Sequence, residues 1–133
     1  MKVLKLPKIQ NQIIYIFRCK TNILHITARH SKQSVVARAT NELLPKLKFD
    51  YNLTERNLWE ESLPPYNLDH VKAKFNLMKN PESDLDQHIF EPIREIVEEI
   101  NDQDILIVST PMWNLSLPYV LKHYIDIIIQ PGE

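Results

Sequence analysis

Residues 27–34 carry the side chains best suited to binding an anion. The segment reads TARHSKQS, follows a short apolar run and precedes a helical pattern of apolar residues. Hydroxyls, an amide and the backbone N–H groups of a helix N-terminus can hold a phosphate group without glycine. The alternative is a polar turn whose serine only caps the helix. Because Gly132 is the single glycine, neither GxGxxG nor GxxxxGK[ST] occurs, and any phosphate site must use other donors.

Residues 111–118, with the sequence PMWNLSLP, form a second candidate ligand site. They follow the most apolar run of the chain, so we expect them at the carboxyl end of a buried strand. In open parallel sheets, ligands bind beyond those ends. Methionine and tryptophan can offer a flat apolar wall to an aromatic ligand, and we expect Asn114 to donate and accept hydrogen bonds from a buried position. The alternative is a hydrophobic loop that only packs.

The remaining polar residues give little support for metal binding or acid–base catalysis. The five histidines show no HxxxH spacing, so we expect no metal site. The glutamates between Glu91 and Glu99 lie beside an apolar helical stripe, where we expect a solvated face. Nothing in the order of residues resembles a nucleophile triad. One cysteine, Cys19, cannot form an intrachain disulfide and indicates a reducing compartment.

The distribution of charge divides the chain near Asn22. The 133 residues have a formal net charge of -1, so we expect neither nucleic acid nor a membrane as a partner. Residues 1–22 hold five basic residues and no acidic residue, and we interpret them as a basic N-terminal extension of unknown role. Residues 23–133 then form one domain. No apolar run approaches the ~20 residues of a membrane span, and we expect a cytoplasmic protein.

Apolar periodicity in the first half of the domain predicts the elements that position the anion-binding segment. Residues 23–27 are typical of a buried strand, and a helix begins after Ser34 and stops near Pro45. Alternation over residues 49–54 predicts a half-exposed strand at or near the edge of a sheet. The proline-broken residues 58–68 predict a long irregular connection.

The second half of the domain continues the alternation of helices and strands. We expect a short helix over residues 71–78 and a longer one from near Glu91, with Pro92 in its first turn. The β-branched run over residues 104–110 is typical of a strand covered on both faces. A last helix opens near Pro118. The order β-α-β-α-β-α predicts an α/β fold with a parallel sheet.

Residues 111–126 resemble a known family. The run PMWNLSLP, followed by LKHYID, is similar to the signature of the FMN-dependent NADH:quinone oxidoreductases, or azoreductases, of the flavodoxin-like superfamily. In that signature, proline, methionine, an aromatic residue and asparagine precede a further proline and an LK-x-aromatic-hydrophobic-D run. The similarity extends back through LWEESLP at residues 58–64 and through residues 23–28. It therefore covers everything after Asn22.

The resemblance implies an FMN site built from the two candidate segments. The loop after the first strand would hold the phosphate group, and the loop after the apolar strand would line the isoalloxazine ring. By position, the phosphate role falls to Thr27, Arg29, Ser31, Gln33 and Ser34, and the ring role falls to Pro111, Met112, Trp113, Asn114 and Leu115. A second serine that many members carry in the phosphate loop is Val36 in this chain.

The resemblance also implies a reaction and its partners. NADH would reduce FMN, NAD⁺ would leave, and a quinone or azo compound would take two electrons in a ping-pong sequence. The flavin does the bond chemistry, so no side chain need act as an acid or base. The cofactors expected are FMN and NADH, and the family works as a homodimer.

The implied fold is a flavodoxin-like three-layer sandwich with a parallel sheet. Its five strands have the order 2-1-3-4-5, and only the first three fit within residues 23–133, so we expect an incomplete copy. The third strand would then be an edge on which Ile105, Ile107 and Val108 lack neighbours. Two alternatives are a catalytically inactive fragment that serves as a binding or dimerisation module, and a one-electron flavodoxin-type carrier.

Overall fold

A computed structural model describes residues 20–130 of the chain. Within these residues three strands and four α-helices follow the order β-α-β-α-α-β-α, as expected for an α/β fold. The strands are β1 (Thr21–Thr27), β2 (Tyr51–Asn57) and β3 (Ile105–Ser109). The helices are α1 (Val35–Leu43), α2 (Leu68–Leu77), α3 (Asp84–Asn101) and α4 (Tyr119–Ile128).

The sheet is parallel and has the order β2-β1-β3. Thr27 at the end of β1 pairs with Asn57 of β2 and with Ser109 of β3, so all three strands end at one level. The segments that follow β1 and β3 therefore start side by side. This confirms the parallel α/β fold and the edge position of the second strand.

Most of the apolar core lies on one face of the sheet. Leu24 and Ile26 of β1 point into it, and both are fully buried. Helices α3 and α4 cover this face, because their apolar stripes recur at helical spacing. The residues they contribute are Phe90, Ile93, Ile96, Val120, Leu121, Tyr124 and Ile127.

Helix α1 covers the other face, which completes a three-layer arrangement. Alternation along β1 turns Ile23, His25 and Thr27 toward this side, and all three are fully buried. The residues that α1 buries are Ala37 and Thr40. The helix leaves an apolar groove of about 400 Å³ against the end of β3.

The predicted start of the longer helix near Glu91 is wrong. Helix α3 begins at Asp84 and contains Pro92 in its interior, although proline has no N–H to donate to the preceding turn. Phe90 accounts for the difference, because it is only 2% exposed and anchors the turns before the proline in the core. The prediction placed the start of the helix next to Pro92 and did not take the burial of Phe90 into account.

The expectation that β3 is covered on both faces is also wrong for the described part of the chain. Leu106 and Val108 are 42% and 48% exposed, whereas Ile105 and Ile107 are half-buried. The exposed side chains therefore lie on the face of the sheet that α3 and α4 cover elsewhere. Of the three residues expected to lack neighbours, Val108 is exposed, whereas Ile105 and Ile107 are not, and Leu106 is exposed in their place. None of the helices within residues 20–130 is long and apolar enough to cross a membrane.

The proposed division at Asn22 can be compared with the structure at three residues only. Thr21 and Asn22 are the first two residues of β1, and Lys20 precedes them. The rest of the basic extension, including Cys19, lies outside the described residues.

Candidate functional site

The two segments singled out in the sequence lie next to each other at the carboxyl ends of β1 and β3. The His30 ring, in the segment after β1, is centred 6.3 Å from that of Trp113, in the segment after β3. The backbone N–H of Ala28 donates to the carbonyl of Ser109 across the same edge at 3.0 Å. The two loops therefore adjoin, so that one ligand could contact residues of both.

The hydroxyl groups of the first loop hold its own backbone in shape. Ser34 is the N-cap of α1, and its Oγ accepts from the N–H of Ala37 at 3.2 Å. Ser31 Oγ accepts from the N–H of Gln33 at 3.1 Å, and Gln33 itself is exposed. In these contacts each serine oxygen is an acceptor, so its O–H can still donate to an anion.

Two predicted phosphate residues have more constrained positions. Thr27 is fully buried, and its Oγ1 accepts from the N–H of Arg29 at 3.3 Å, so it shapes the turn and has no exposed surface for a ligand. The Arg29 guanidinium donates to Glu55 of β2 at 2.7 Å, and its side chain is only 10% exposed. Beside it lies a small cavity of about 140 Å³. Its walls include the basic side chains of Arg29 and Lys32, the carboxyl group of Glu60 and the ring of Trp59.

The second loop contains a strained two-residue turn. Trp113 and Ser116 exchange two backbone hydrogen bonds of 2.8 Å, which closes the chain around Asn114 and Leu115. Both central residues have positive φ, 48° and 62°, as a type I′ turn requires. Leucine is poorly suited to this region, and such strain often lies at functional sites.

The expected burial of Asn114 is wrong. Asn114 is exposed, as are Met112 and Leu115, and Asn114 and Leu115 are the two central residues of the tight turn. Pro111 is half-buried. The amide of Asn114 is therefore at the surface of the cleft, where it can reach a ligand but does not line a closed site.

An aromatic cluster joins the two loops. Trp59 lies 5.3 Å from Trp113 and 5.5 Å from Tyr119 between ring centroids, and its indole N–H donates to the carbonyl of Ala28 at 2.7 Å. Trp59 and Tyr119 were not among the predicted site residues. The LWEESLP similarity at residues 58–64 was the signal that could have indicated Trp59.

A larger open cleft of about 650 Å³ extends from this cluster along the start of α4. Aromatic and apolar groups form much of its wall, with a few polar side chains, as is usual for sites that bind organic ligands. The lining residues include Tyr66, Trp113, Asn114, Leu117, Tyr119, Lys122, His123 and Asp126.

Three residues that are distant in the sequence form a hydrogen-bonded array across the sheet. His25 Nδ1 lies 3.1 Å from Glu55, and its Nε2 lies 2.7 Å from the Ser109 hydroxyl. This is the connectivity of a nucleophile triad, which the sequence order did not indicate. Only 7% of Ser109 is exposed and His25 is fully buried, so the hydroxyl offers little surface to an acyl substrate.

Burial and the neighbouring charge of Glu55 shift the pKa of the histidine in opposite directions. Burial lowers the pKa of His25 below its ordinary value of 6.5, and this effect exceeds the opposing attraction of Glu55. Arg29 also lowers the pKa of His25 by repulsion. Within residues 20–130, no three His, Cys, Asp or Glu side chains are grouped closely enough to hold a metal ion.

A family model described as flavodoxin-like fold matches residues 21–133. The match includes β1, both loops and every described helix, so the chain belongs to the flavodoxin-like fold family. The parallel sheet with strand order β2-β1-β3 is the start of that fold, as the sequence resemblance implied.

Relatives within this family carry a consistent name. The chain is 33% identical over 101 residues to the FMN-dependent NADH:quinone oxidoreductase 2 of Burkholderia lata, covering 75% of this chain and 49% of the relative. It is 29% identical over 117 residues to the FMN-dependent NADH:quinone oxidoreductase 3 of Pseudomonas fluorescens, covering 84% of this chain and 54% of the relative. The chain thus spans about half the length of these relatives.

Solved structures show the same fold. The FMN-dependent NADH-azoreductase of Bacillus anthracis in complex with FMN superposes with a TM-score of 0.69 at 20% identity. The alignment covers 85% of this chain and 58% of that one. An azoreductase from a second Bacillus anthracis strain gives a TM-score of 0.66 at 23% identity, covering 84% of this chain and 57% of that one.

The residues of the two loops and of the aromatic cluster fit an FMN molecule. The phosphate group would find the N-terminus of α1, the hydroxyls of Ser31 and Ser34 and a basic cavity wall at Arg29. The flat ring would find the aromatic cluster beside Trp113. The donors follow β1 and the aromatic cluster includes Trp113, which follows β3. These two strand ends are neighbours, as a ligand with a charged end and an aromatic end requires.

Proposed function

We propose that this chain binds FMN and belongs to a NADH-dependent oxidoreductase that reduces quinones or azo compounds. The observation that carries the proposal is the meeting of the two loops, through the His30–Trp113 ring contact, at adjacent strand ends. The names of the relatives support the cofactor and the reaction, because each names FMN and NADH.

In this proposal the chain positions and shields the cofactor. Ser31, Ser34 and Arg29 hold the phosphate group, with Gln33 at the exposed rim and Thr27 shaping the turn. The backbone and side chains of residues 111–115 form the wall for the ring, and Trp59 stiffens it by its bond to Ala28. Bound FMN would supply the two-electron chemistry that links NADH to the quinone or azo compound in the proposed ping-pong sequence. No described side chain is required as an acid or base.

We further propose that the protein acts in the cytoplasm as a homodimer. Met112, Leu115 and Tyr119 are 73%, 90% and 70% exposed, and they follow one another along the second loop and the start of α4. Exposed apolar side chains grouped in this way are typical of an interaction surface. A second copy of the chain would bury them beside the ring wall.

The same exposed surface favours a second candidate function, a binding or dimerisation module without catalysis. The two candidates differ in one property that is simple to observe. A purified chain that takes up FMN and turns yellow supports the oxidoreductase. A colourless chain that self-associates through the second loop supports the module.

The experiment that tests the reaction is a steady-state assay of the purified chain supplied with FMN. NADH oxidation is followed by absorbance with menadione as the acceptor, at several fixed menadione concentrations. Parallel double-reciprocal lines support the proposed ping-pong sequence. Trp113→Ala should lower the rate, whereas Phe75→Ala, on the exposed surface of α2, should not. A rate equal to that of free FMN would contradict the proposal.

A further inference from the structure

One carboxylate links the proposed phosphate loop to a buried histidine. Glu55 Oε1 accepts from the Arg29 guanidinium at 2.7 Å, and Glu55 Oε2 lies 3.1 Å from His25 Nδ1. On the far side, His25 Nε2 lies 2.7 Å from Ser109 Oγ. The contacts cross β2, β1 and β3 in turn and end at Ser109, which lines the groove between α1 and β3.

The charged groups that act on the pKa of His25 are Glu55 and Arg29. Helix α1 buries only Ala37 and Thr40 on this face, and β3 presents Ser109, none of which titrates in the ordinary range. Glu55 favours the protonated imidazole, while Arg29 opposes it. Arg29 therefore opposes the proton that Glu55 favours on His25, and its contact with Glu55 links the two effects.

Resting on the proposed binding of FMN, we propose that Glu55 and His25 are positioning residues for Arg29, and that binding of the FMN phosphate group is coupled to uptake of a proton by His25. Arg29 lines the 140 Å³ cavity together with Ser31 and Lys32, so a phosphate group there competes with Glu55 for the guanidinium. As the guanidinium turns to the phosphate, the Glu55 carboxylate loses one of its two partners and keeps the other, His25. A proton on His25 then restores a cation beside it.

The coupling between Arg29 and His25 can be tested without any cofactor. Proton NMR of the full chain, with the His25 signal assigned by its loss in His25→Gln, follows the titration of the ring between pH 4 and 8. Arg29→Gln should move the His25 titration to higher pH, because the opposing charge is gone. Lys32→Gln, which removes a charge from the same cavity but has no contact with Glu55, is the matched control and should leave it unchanged. An unchanged His25 titration in Arg29→Gln overturns the coupling.

The link to the cofactor is tested by counting protons. Calorimetric titration with FMN at pH 6, in two buffers with different ionisation enthalpies, gives the protons taken up on binding. The FMN phosphate group, with a second pKa of about 6, releases protons in every variant, so the comparison is between variants. Wild type should take up more protons than His25→Gln by up to about one. Glu55→Gln, at a more exposed position, should match His25→Gln.

Riboflavin, which has no phosphate group, separates the possible outcomes. Its binding should show the same proton count in wild type and in both variants. Tight FMN binding with equal proton counts in wild type, His25→Gln and Glu55→Gln overturns the inference and leaves the proposed function standing. Absence of FMN binding to wild type overturns both, while a shifted His25 titration in Arg29→Gln would still establish the contact between the two residues.

Discussion

Replacement of Leu115 by glycine should stabilise the chain. Leu115 has a φ of 62°, and a left-handed conformation costs a leucine about 1–2 kcal/mol relative to glycine. Its side chain is 90% exposed, so its removal loses little buried surface. Glycine adds conformational freedom to the unfolded chain, which costs about 0.5–1 kcal/mol. The net gain in the free energy of unfolding should be about 0.5–1 kcal/mol.

Leu117→Gly is the matched control for this measurement. Leu117 lies in the same loop, but it is not among the residues with positive φ and is only 43% exposed. Its replacement should lower the free energy of unfolding by about 1 kcal/mol, because buried surface is lost and the unfolded chain gains freedom. Urea unfolding followed by circular dichroism measures both. Equal destabilisation by the two glycines would refute the assignment of strain to Leu115.

The strained turn should also have a functional effect. If the turn fixes the wall for the flavin ring, the looser Leu115→Gly loop should bind FMN about three- to tenfold more weakly, while the protein is more stable. Unchanged FMN affinity would show that the turn does not contact the ring.

Three further predictions concern single side chains. Ser34→Asp keeps a good helix cap but places a negative charge at the phosphate site, so FMN affinity should fall at least tenfold and riboflavin affinity should change little; an equal fall for both flavins in fluorescence titrations would point to damage of the helix. Tyr124→Phe should raise the free energy of unfolding by about 1–2 kcal/mol, because within residues 20–130 the buried Tyr124 hydroxyl has no hydrogen-bond partner. Urea unfolding tests this, and a loss of stability would contradict the absence of a hydrogen-bond partner for this hydroxyl. Burial lowers the pKa of His25 below 6.5, so the unfolded chain takes up a proton more readily than the folded chain as the pH falls. The contribution of His25 to the free energy of unfolding should therefore be complete above pH 6.5 and be lost as the pH drops through the lowered pKa of His25. His25→Gln should flatten this part of the stability profile, and an unaltered slope would contradict the role of burial.

Local sequence patterns were sufficient for the framework of the site. The apolar run of β1, the cap at Ser34 and the proline-bounded loop after β3 each depend on neighbouring residues, and the structure confirms all three. Their meeting at one edge follows from parallel pairing, which the alternation of strands and helices already indicated.

Other features depend on register and on distant contacts. The array of Glu55, His25 and Ser109 joins residues 30 and 84 positions apart, and it forms only because three strands pair in one particular register. Trp59 joins the aromatic cluster through a loop whose path no local pattern specifies. The start of α3 was misplaced because burial of Phe90 outweighs the cost of the internal Pro92.

The most direct test of the proposed FMN site is a comparison of two flavins on the same protein. The full chain is titrated with FMN and with riboflavin, and binding is followed by quenching of flavin fluorescence. Charge-assisted hydrogen bonds from the loop of residues 29–34 to the phosphate group should contribute about 1.5–3 kcal/mol, which corresponds to an affinity for FMN roughly ten- to a hundredfold higher than for riboflavin. Saturation at one FMN per chain with this preference is the predicted result. Equal affinity for the two flavins, or no saturable binding of FMN, would contradict the assignment of the two loops.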